Sequence, residues 1–175
     1  MQEIKYLKKL SEKYPNRRAA RAEIINLKAI LNLPKGTEYF LSDLHGEHEA
    51  FIHMLRSASG TIKQKIDEEF GTELNDAERE DLAALVYDPE GAIRRAKKAL
   101  PKINRWYYDS LYRLIIICKS VSTKYTRNKV RGRLPKYMAY IIDELLHADD
   151  EENRANYYDG IISSIIDEGV AEYYI

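Results

Sequence analysis

Apolar residues recur along this chain mostly at the three- and four-residue spacing of an amphipathic α-helix, which predicts a mainly α-helical structure. Prolines, glycines and capping residues mark where the helices begin and end. The pattern indicates eight or nine helices. They span residues 2–14, 47–57, 61–70, 76–86, 89–99, 101–121, 135–147 and 153–168, with one more between Asn16 and Pro34.

Several of these boundaries rest on specific capping signals. Asn16 is suited to cap the second helix, and the spacing of Asn75 and Glu78 is that of a capping box. Asp88 followed by Pro89 reads as an N-cap with proline in the first turn, and Gly71 as the C′ residue after helix 61–70. In the second helix, we expect one apolar face to point inward, made by Ala20, Ile24, Leu27, Ile30 and Leu31. In helix 153–168 we expect a buried stripe made by Ile161, Ile162, Ile165 and Ile166.

One segment breaks the helical pattern. The apolar run Tyr39-Phe40-Leu41 follows the helix-ending residues Pro34 and Gly36 and predicts a short strand at 39–42. The sequence offers this strand no partner, so its backbone hydrogen-bonding groups would remain unpaired. We therefore expect the strand to recruit another chain and favour self-association.

A polar cluster follows this strand. Asp43 and His45 are two residues apart, so on an extended backbone their side chains would point the same way. Gly46 then allows a sharp turn into the next helix. A carboxylate and an imidazole together suit Mn²⁺, Fe or Zn²⁺, whereas an N-cap aspartate beside a surface histidine is the alternative interpretation.

The run Ser42-Asp-Leu-His-Gly-Glu47 resembles the first motif, Asp-x-His-Gly, of calcineurin-like metallophosphoesterases. Residues 23–37 and 121–130 extend the likeness, and essentially all 175 residues resemble the N-terminal part of class 3 fructose-1,6-bisphosphatases, known from Firmicutes. The resemblance implies a four-layer α/β/β/α sandwich and a two-metal site, with Mn²⁺ as the expected ion. Asp43 and His45 would bind one of the two ions.

By the same resemblance, residues 1–58 would carry the first helices, strand and metal motif of the phosphatase domain, and residues 59–175 a helical insertion. The implied activity is hydrolysis of D-fructose 1,6-bisphosphate to D-fructose 6-phosphate and phosphate in gluconeogenesis. The family's later motifs, Gly-Asp-x-x-Asp-Arg-Gly and Gly-Asn-His-Asp, do not occur here. We therefore expect a fragment that is inactive alone. The alternative is a non-catalytic helical domain for interaction or anion binding.

Composition excludes few classes of protein. Basic and acidic residues both number 28, so no overall charge attracts nucleic acid or membrane. A single cysteine excludes an internal disulfide and fits a cytoplasmic protein. No apolar run approaches the ~20 residues of a membrane span. The family resemblance implies a sugar bisphosphate as a partner, and the unpaired strand predicts a second copy of the chain as another.

Other candidate residues have simpler readings. Glu47 and Glu49 could orient His45, but first-turn acids favoured by the helix dipole are the more common case. His48 and His53 are expected on the surface. Cys118 lies in an apolar run and is expected to be a buried small hydrophobe.

Residues 110–142 contain no acid. They hold eight basic residues, with four tyrosines interleaved: Arg113, Lys119, Lys124, Arg127, Lys129, Arg131, Arg133 and Lys136, and Tyr112, Tyr125, Tyr137 and Tyr140. A solvated basic face paired with the acids of 143–152 explains this pattern most simply. A phosphate or anion site, with Lys124, Arg127, Arg131 and Arg133 as contacts, is the second reading. Binding of single-stranded nucleic acid is the least favoured.

Overall fold

The computed structural model describes residues 2–36, 38, 40–147 and 152–175, and within these residues all regular structure is helical. The helices are α1 (Gln2–Lys13), α2 (Arg17–Ile30), α3 (His48–Ser57), α4 (Thr61–Phe70), α5 (Asp76–Tyr87), α6 (Pro89–Ala99), α7 (Asn104–Ser122), α8 (Arg127–Arg131), α9 (Ala139–Leu146), α10 (Glu152–Asp167) and α11 (Ala171–Tyr174). A 3-10 turn, Ala58–Gly60, joins α3 to α4. The mainly α-helical prediction is confirmed for the described residues.

The nine predicted helices are present, but two short ones were missed. Helices α8 and α11 have five and four residues, too few for a helical period to show in a sequence. Two helix starts that were predicted from prolines are wrong. Helix α7 begins at Asn104 rather than Pro101, and α9 begins at Ala139 rather than Pro135. In both cases the proline lies in the preceding loop or turn.

The predicted N-terminal caps are confirmed. The Asn16 side chain accepts a hydrogen bond from the Ala19 backbone N–H, and Asn75 and Glu78 form a reciprocal capping box. The role given to Gly71 is wrong. Its φ is −59°, and a Cβ there would lie 2.5 Å from the Asp67 carbonyl oxygen. Glycine is needed at this position for close backbone approach rather than for a left-handed conformation.

The strand predicted at 39–42 is not found in the described residues. Residues 40–44 have no regular secondary structure, while Tyr39 lies outside the described part. The physical reason is the one that made the strand unusual: a strand needs a second strand for its hydrogen bonds, and the described residues provide none.

The hydrophobic core is built around α7. On one side α7 packs against α4 and α5 around Ile66, Phe70 and Leu82, and Ile66 is fully buried. On the other side it packs against α9, α10 and α11. That second cluster comprises Tyr107, Leu111, Leu145, Tyr158, Ile162, Ile165 and Ala171, which confirms the predicted apolar stripe of α10. We call residues 61–147 and 152–175 the helical body.

Two tyrosines of α7 fix the last helices to this core. The Tyr107 hydroxyl donates a hydrogen bond to Glu172 at 2.6 Å, and Tyr108 donates to Asp159 at 2.6 Å. Lys97 of α6 also forms an ion pair with Glu172. Burial and the hydrogen bond to Glu172 raise the pKa of Tyr107 to about 12. The ion pair with Lys97 and, to a smaller extent, the hydrogen bond from Tyr107 lower the pKa of Glu172.

The described residues before the turn at 45–47 that leads into α3, namely 2–36, 38 and 40–44, form what we call the arm. Helices α1 and α2 do not pack extensively on any other helix of the described chain. The inward face predicted for α2 is therefore wrong, because Ile24 is 50% exposed and Leu31 85% exposed. The amphipathic pattern is real, but no described part of the chain covers it.

Candidate metal site

The Asp-x-His motif lies on a tight turn between the arm and α3. The Glu47 backbone N–H donates to the Leu44 carbonyl oxygen at 2.8 Å, closing a four-residue turn. Its two central residues, His45 and Gly46, have φ values of 47° and 77°. Positive φ at both positions is the pattern of a type I′ turn. Glycine adopts this conformation freely, whereas histidine does so at an energetic cost.

This turn brings the two candidate ligands together. The Nε2 atom of His45 lies 3.8 Å from Oδ2 of Asp43, and the side chains are 80% and 76% exposed. The sequence prediction that they converge is consistent with this geometry, but its reason was wrong. The turn, not the alternation of a pleated strand, makes the side chains neighbours.

The pair fits a divalent ion only in part. Carboxylate oxygen and imidazole nitrogen are suitable donors for Mn²⁺. However, no group of three or more histidine, cysteine, aspartate or glutamate side chains in the described residues could hold a metal ion. Asp43 and His45 can thus supply two ligands, and water or other groups would have to supply the rest.

The residues beside the motif have no contact with it that would orient His45. Glu47 precedes α3 without a capping hydrogen bond from its side chain, and Glu49 is a first-turn acid. His48 is exposed, as predicted. His53, also exposed, contacts Tyr87 of α5 through Nδ1 and the tyrosine oxygen at 2.9 Å. His53 thus attaches α3 to the helical body, and none of these four residues forms a metal-binding group with Asp43 and His45 in the described part of the chain.

The basic residues of 110–142 are spread over α7, the turn after it, α8 and the turns that precede α9. Arg127, Arg131 and Arg133 are exposed, and Lys124 is half-buried. Arg131 pairs with Asp143 at 3.3 Å, which supports the reading of a basic face that pairs with the acids after it. Residues 148–151, part of that acidic run, lie outside the described residues. The anion-site reading of Lys124, Arg127, Arg131 and Arg133 stays a prediction.

Another basic cluster was missed in the sequence. A cavity of about 440 Å³ is lined by Arg56 of α3, Lys63 of α4 and Arg95 of α6, together with Tyr87. Asp88, 3.9 Å from Arg95, is the acid that shares this cavity. The three cations come from three helices separated by loops, so no local sequence pattern could have revealed them.

Cys118 is exposed on α7, so the prediction that it is buried is wrong. Its apolar neighbours in sequence point to different sides of the helix, and the cysteine lies on the outer side. Desolvation by nearby atoms nevertheless raises the pKa of the thiol. A raised pKa keeps the thiol protonated at neutral pH and does not favour a nucleophilic role.

The comparisons with known proteins agree with each other. The family model described as Firmicute fructose-1,6-bisphosphatase matches residues 5–175. A class 3 fructose-1,6-bisphosphatase of Clostridium tetani is 54% identical over 171 residues, which are 97% of this chain and 26% of that protein. The proteins of the same name from Clostridium novyi and Clostridium botulinum strain Hall are each 53% identical over 94% of this chain and 25% of their own length.

Two further results limit what these likenesses mean. The chain spans about a quarter of the length of the curated relatives it matches. No solved structure matches it significantly, and no helix among the described residues is long and apolar enough to cross a membrane. The family match nevertheless includes nearly every residue of the chain, from the arm through α11. The chain therefore belongs to the Firmicute fructose-1,6-bisphosphatase family.

Proposed function

We propose that this chain supplies part of the metal site of a class 3 fructose-1,6-bisphosphatase, with Asp43 and His45 as ligands of one divalent ion. The observation that carries the proposal is the exposed pair on its I′ turn, 3.8 Å apart. Strained backbone conformations are found preferentially at functional sites. The names of the relatives support a sugar bisphosphate as substrate.

In this proposal each residue of the motif has a separate task. Asp43 contributes a negatively charged oxygen and His45 a neutral nitrogen, and Gly46 keeps side-chain bulk away from both. In two-metal phosphatases the bound ions neutralise charge on the phosphoryl oxygens and lower the pKa of a water. Mn²⁺ is the proposed ion. The ligands still needed would come from the part of the family's polypeptide that has no counterpart here.

The test is a chimera in which this chain replaces the matching quarter of the Clostridium tetani relative. Phosphate release from fructose 1,6-bisphosphate is measured in added Mn²⁺, beside the 175-residue chain alone. We expect activity from the chimera and none from the short chain, because Asp43 and His45 are the only two proposed ligands among its described residues. Activity of the short chain that is lost with His45→Ala would contradict the proposal.

Substitutions in the chimera test whether Asp43 and His45 are metal ligands. Asp43→Ala and His45→Ala are each expected to reduce turnover by about a hundredfold or more, the order seen when electrostatic stabilisation of a transition state is removed. Glu49→Ala removes an equally exposed carboxylate six residues from Asp43 and is the matched control. A chimera that keeps normal turnover with Asp43→Ala would remove this residue from the metal site.

A second candidate function is anion binding by the helical body without catalysis. The cavity between α3, α4 and α6 favours it, because three cations and the phenol ring of Tyr87 line the same space. Two acids lie near these cations, since Asp88 is 3.9 Å from Arg95 and Glu80 is 3.9 Å from Lys63. Arginine and lysine side chains in a cleft are suited to bind phosphate groups. This function does not require Asp43 or His45.

Titration of the 175-residue chain with inorganic phosphate tests this second function. Arg56→Ala should weaken binding, whereas Arg113→Ala, which changes a cation outside the cavity, should not. Equal effects of the two substitutions would mean that phosphate recognises only general positive charge. The result is independent of Mn²⁺, so it separates the two candidate functions.

A further inference from the structure

The arm carries an apolar surface that the helical body does not have. Eleven of the nineteen large hydrophobic side chains that are exposed in the described residues lie between Ile4 and Leu44. Ten of these eleven are isoleucine, leucine or phenylalanine, whereas six of the eight elsewhere are tyrosines, whose hydroxyl groups tolerate water. Scattered exposed tyrosines need no explanation, but a concentrated aliphatic surface indicates an interface.

The surface is organised rather than random. In α2, Ile24, Leu27 and Leu31 follow each other at three- and four-residue spacing and therefore share one side of the helix. Ile4 and Leu7 do the same in α1. An isolated helix of this length is marginally stable in water, so most of its stability must come from packing of that side.

The arm also has a strong charge of its own. Residues 2–31 contain eight basic and three acidic side chains, a net charge of +5 in a chain whose overall charge is zero. The surface that covers this arm should therefore be apolar in the centre and acidic at its edge.

The apolar surface continues to the metal motif. Phe40 is 91% exposed, and Leu41 and Leu44 are 45% and 42% exposed on either side of Asp43. Whatever covers these residues is therefore placed next to the Asp43–His45 pair. Meanwhile α3 is held on the helical body by its contact with Tyr87, so the motif lies between a fixed helix and an uncovered arm.

We propose that the arm, with the apolar side of α2 at its centre, is the docking surface for the remaining part of a class 3 fructose-1,6-bisphosphatase polypeptide. This rests on the proposed function. The occupant is indicated by length, since the chain corresponds to only 26% of the Clostridium tetani relative, and by position, since the apolar surface ends at Asp43 and His45, a pair to which the described residues add no third ligand.

Hydrogen exchange measured by mass spectrometry tests docking without requiring activity. The α2 peptides of the Clostridium tetani chimera are compared with those of the 175-residue chain. We expect exchange in α2 to slow by about tenfold or more in the chimera, since burial against a partner raises the free energy of local opening. Equally fast exchange in both proteins would overturn the proposal.

Two matched substitutions locate the surface. Ile24→Asp places a charge on the apolar side of α2, and Ala22→Asp places the same residue on nearly the opposite side, where Ala22 is also exposed. In the chimera, Ile24→Asp should abolish the slow exchange of α2 and raise the Mn²⁺ concentration needed for half-maximal activity by about tenfold. Ala22→Asp should change neither. Equal effects of the two substitutions would contradict a specific apolar contact.

The outcomes distinguish this proposal from the proposed function. Slow exchange in α2 of a chimera that releases no phosphate would support docking and remove the assigned activity. Slow exchange in the 175-residue chain, together with a sedimentation coefficient that rises with concentration, would show that a second copy covers the arm. That result would overturn the proposal that the remaining part of the polypeptide covers the arm.

Discussion

At the scale of single residues, the candidate metal ligands combine high exposure with an unfavourable backbone conformation. A positive φ for a non-glycine residue costs free energy. Among the described residues, His45 has no contact besides Asp43 that would offset this cost. The strain is therefore consistent with a ligand position that is completed only by further groups. Two measurable consequences at this scale concern metal affinity and pH.

The 175-residue chain should bind Mn²⁺ weakly, with no sub-micromolar site in isothermal titration calorimetry. Two exposed protein ligands leave the remaining coordination positions to water, and the described residues contain no third candidate ligand within the cluster. Tight binding that persists in Asp43→Ala would show that the ion is held elsewhere.

Stability should fall at high pH because of Tyr107. Burial and the hydrogen bond to Glu172 raise its pKa to about 12 in the folded chain, above the value of ~10 for an unfolded tyrosine. A raised folded-state pKa stabilises the fold fully below the unfolded pKa, and this contribution is lost between about pH 10 and 12. Urea unfolding at pH 8 and pH 11 should thus show a smaller difference for Tyr107→Phe than for the parent chain.

Tyr107→Phe should itself lower the free energy of unfolding at neutral pH by about 1 kcal/mol, the usual contribution of one hydrogen bond. Tyr112→Phe, on the same helix but with an exposed side chain, is the control. An identical pH dependence in parent and Tyr107→Phe would assign the loss at high pH to other tyrosines or lysines.

At the scale of helices, the same local signal has different consequences in the arm and in the body. Asn16 caps α2 and Asn75 caps α5, and each accepts a hydrogen bond of 3.0 Å from a backbone N–H three residues later. Helix α5 packs against α4 and α6 through Leu82 and Leu85, whereas α2 has no buried residue. A cap contributes to the global free energy of unfolding only if its helix unfolds together with the core.

Asn75→Ala should accordingly lower the free energy of unfolding by about 1 kcal/mol, the typical cost of losing an N-cap. Asn16→Ala should leave the midpoint of urea unfolding unchanged and reduce only the helical circular dichroism signal. The comparison is made by following the fluorescence of Trp106 in α7, which packs against both hydrophobic clusters. An equal shift of the midpoint for both variants would mean that α2 unfolds with the body.

At the scale of the whole molecule, the chain divides into a body with its own core and an arm without one. The two hydrophobic clusters share Trp106 and Ile175 and join α4 to α11 around α7. In the arm, Gly36 lies close to the Tyr125 hydroxyl of the body. We therefore expect the body to unfold as one cooperative unit and the arm to unfold independently of it.

Truncation of matched aliphatic side chains tests the division. Ile66→Ala creates a cavity at a fully buried position and should cost about 2–5 kcal/mol. Leu27→Ala removes a side chain that is 51% exposed and should change the free energy of unfolding by less than about 0.5 kcal/mol. Denaturant unfolding measures both, and a large cost of Leu27→Ala would show that the 175-residue chain buries its arm in solution.

Much of the local structure was determined by the sequence itself. The capping box at Asn75 and the Asp88-Pro89 helix start were both predicted and are both present. These features depend on neighbours within about one or two helical turns, so the sequence contains all the information they need. The Asp-x-His motif could be located for the same reason.

The tertiary structure alone decided which apolar faces become core. The pattern in α2 is as amphipathic as that in α10, yet α10 is buried and α2 is not, because burial depends on whether another part of the molecule lies opposite. The same reason explains the missing strand, which lacked a partner, and the basic cavity at Arg56, Lys63 and Arg95, which three separate helices assemble. Periodicity specifies that a face is able to pack, whereas only the folded chain specifies what it packs against.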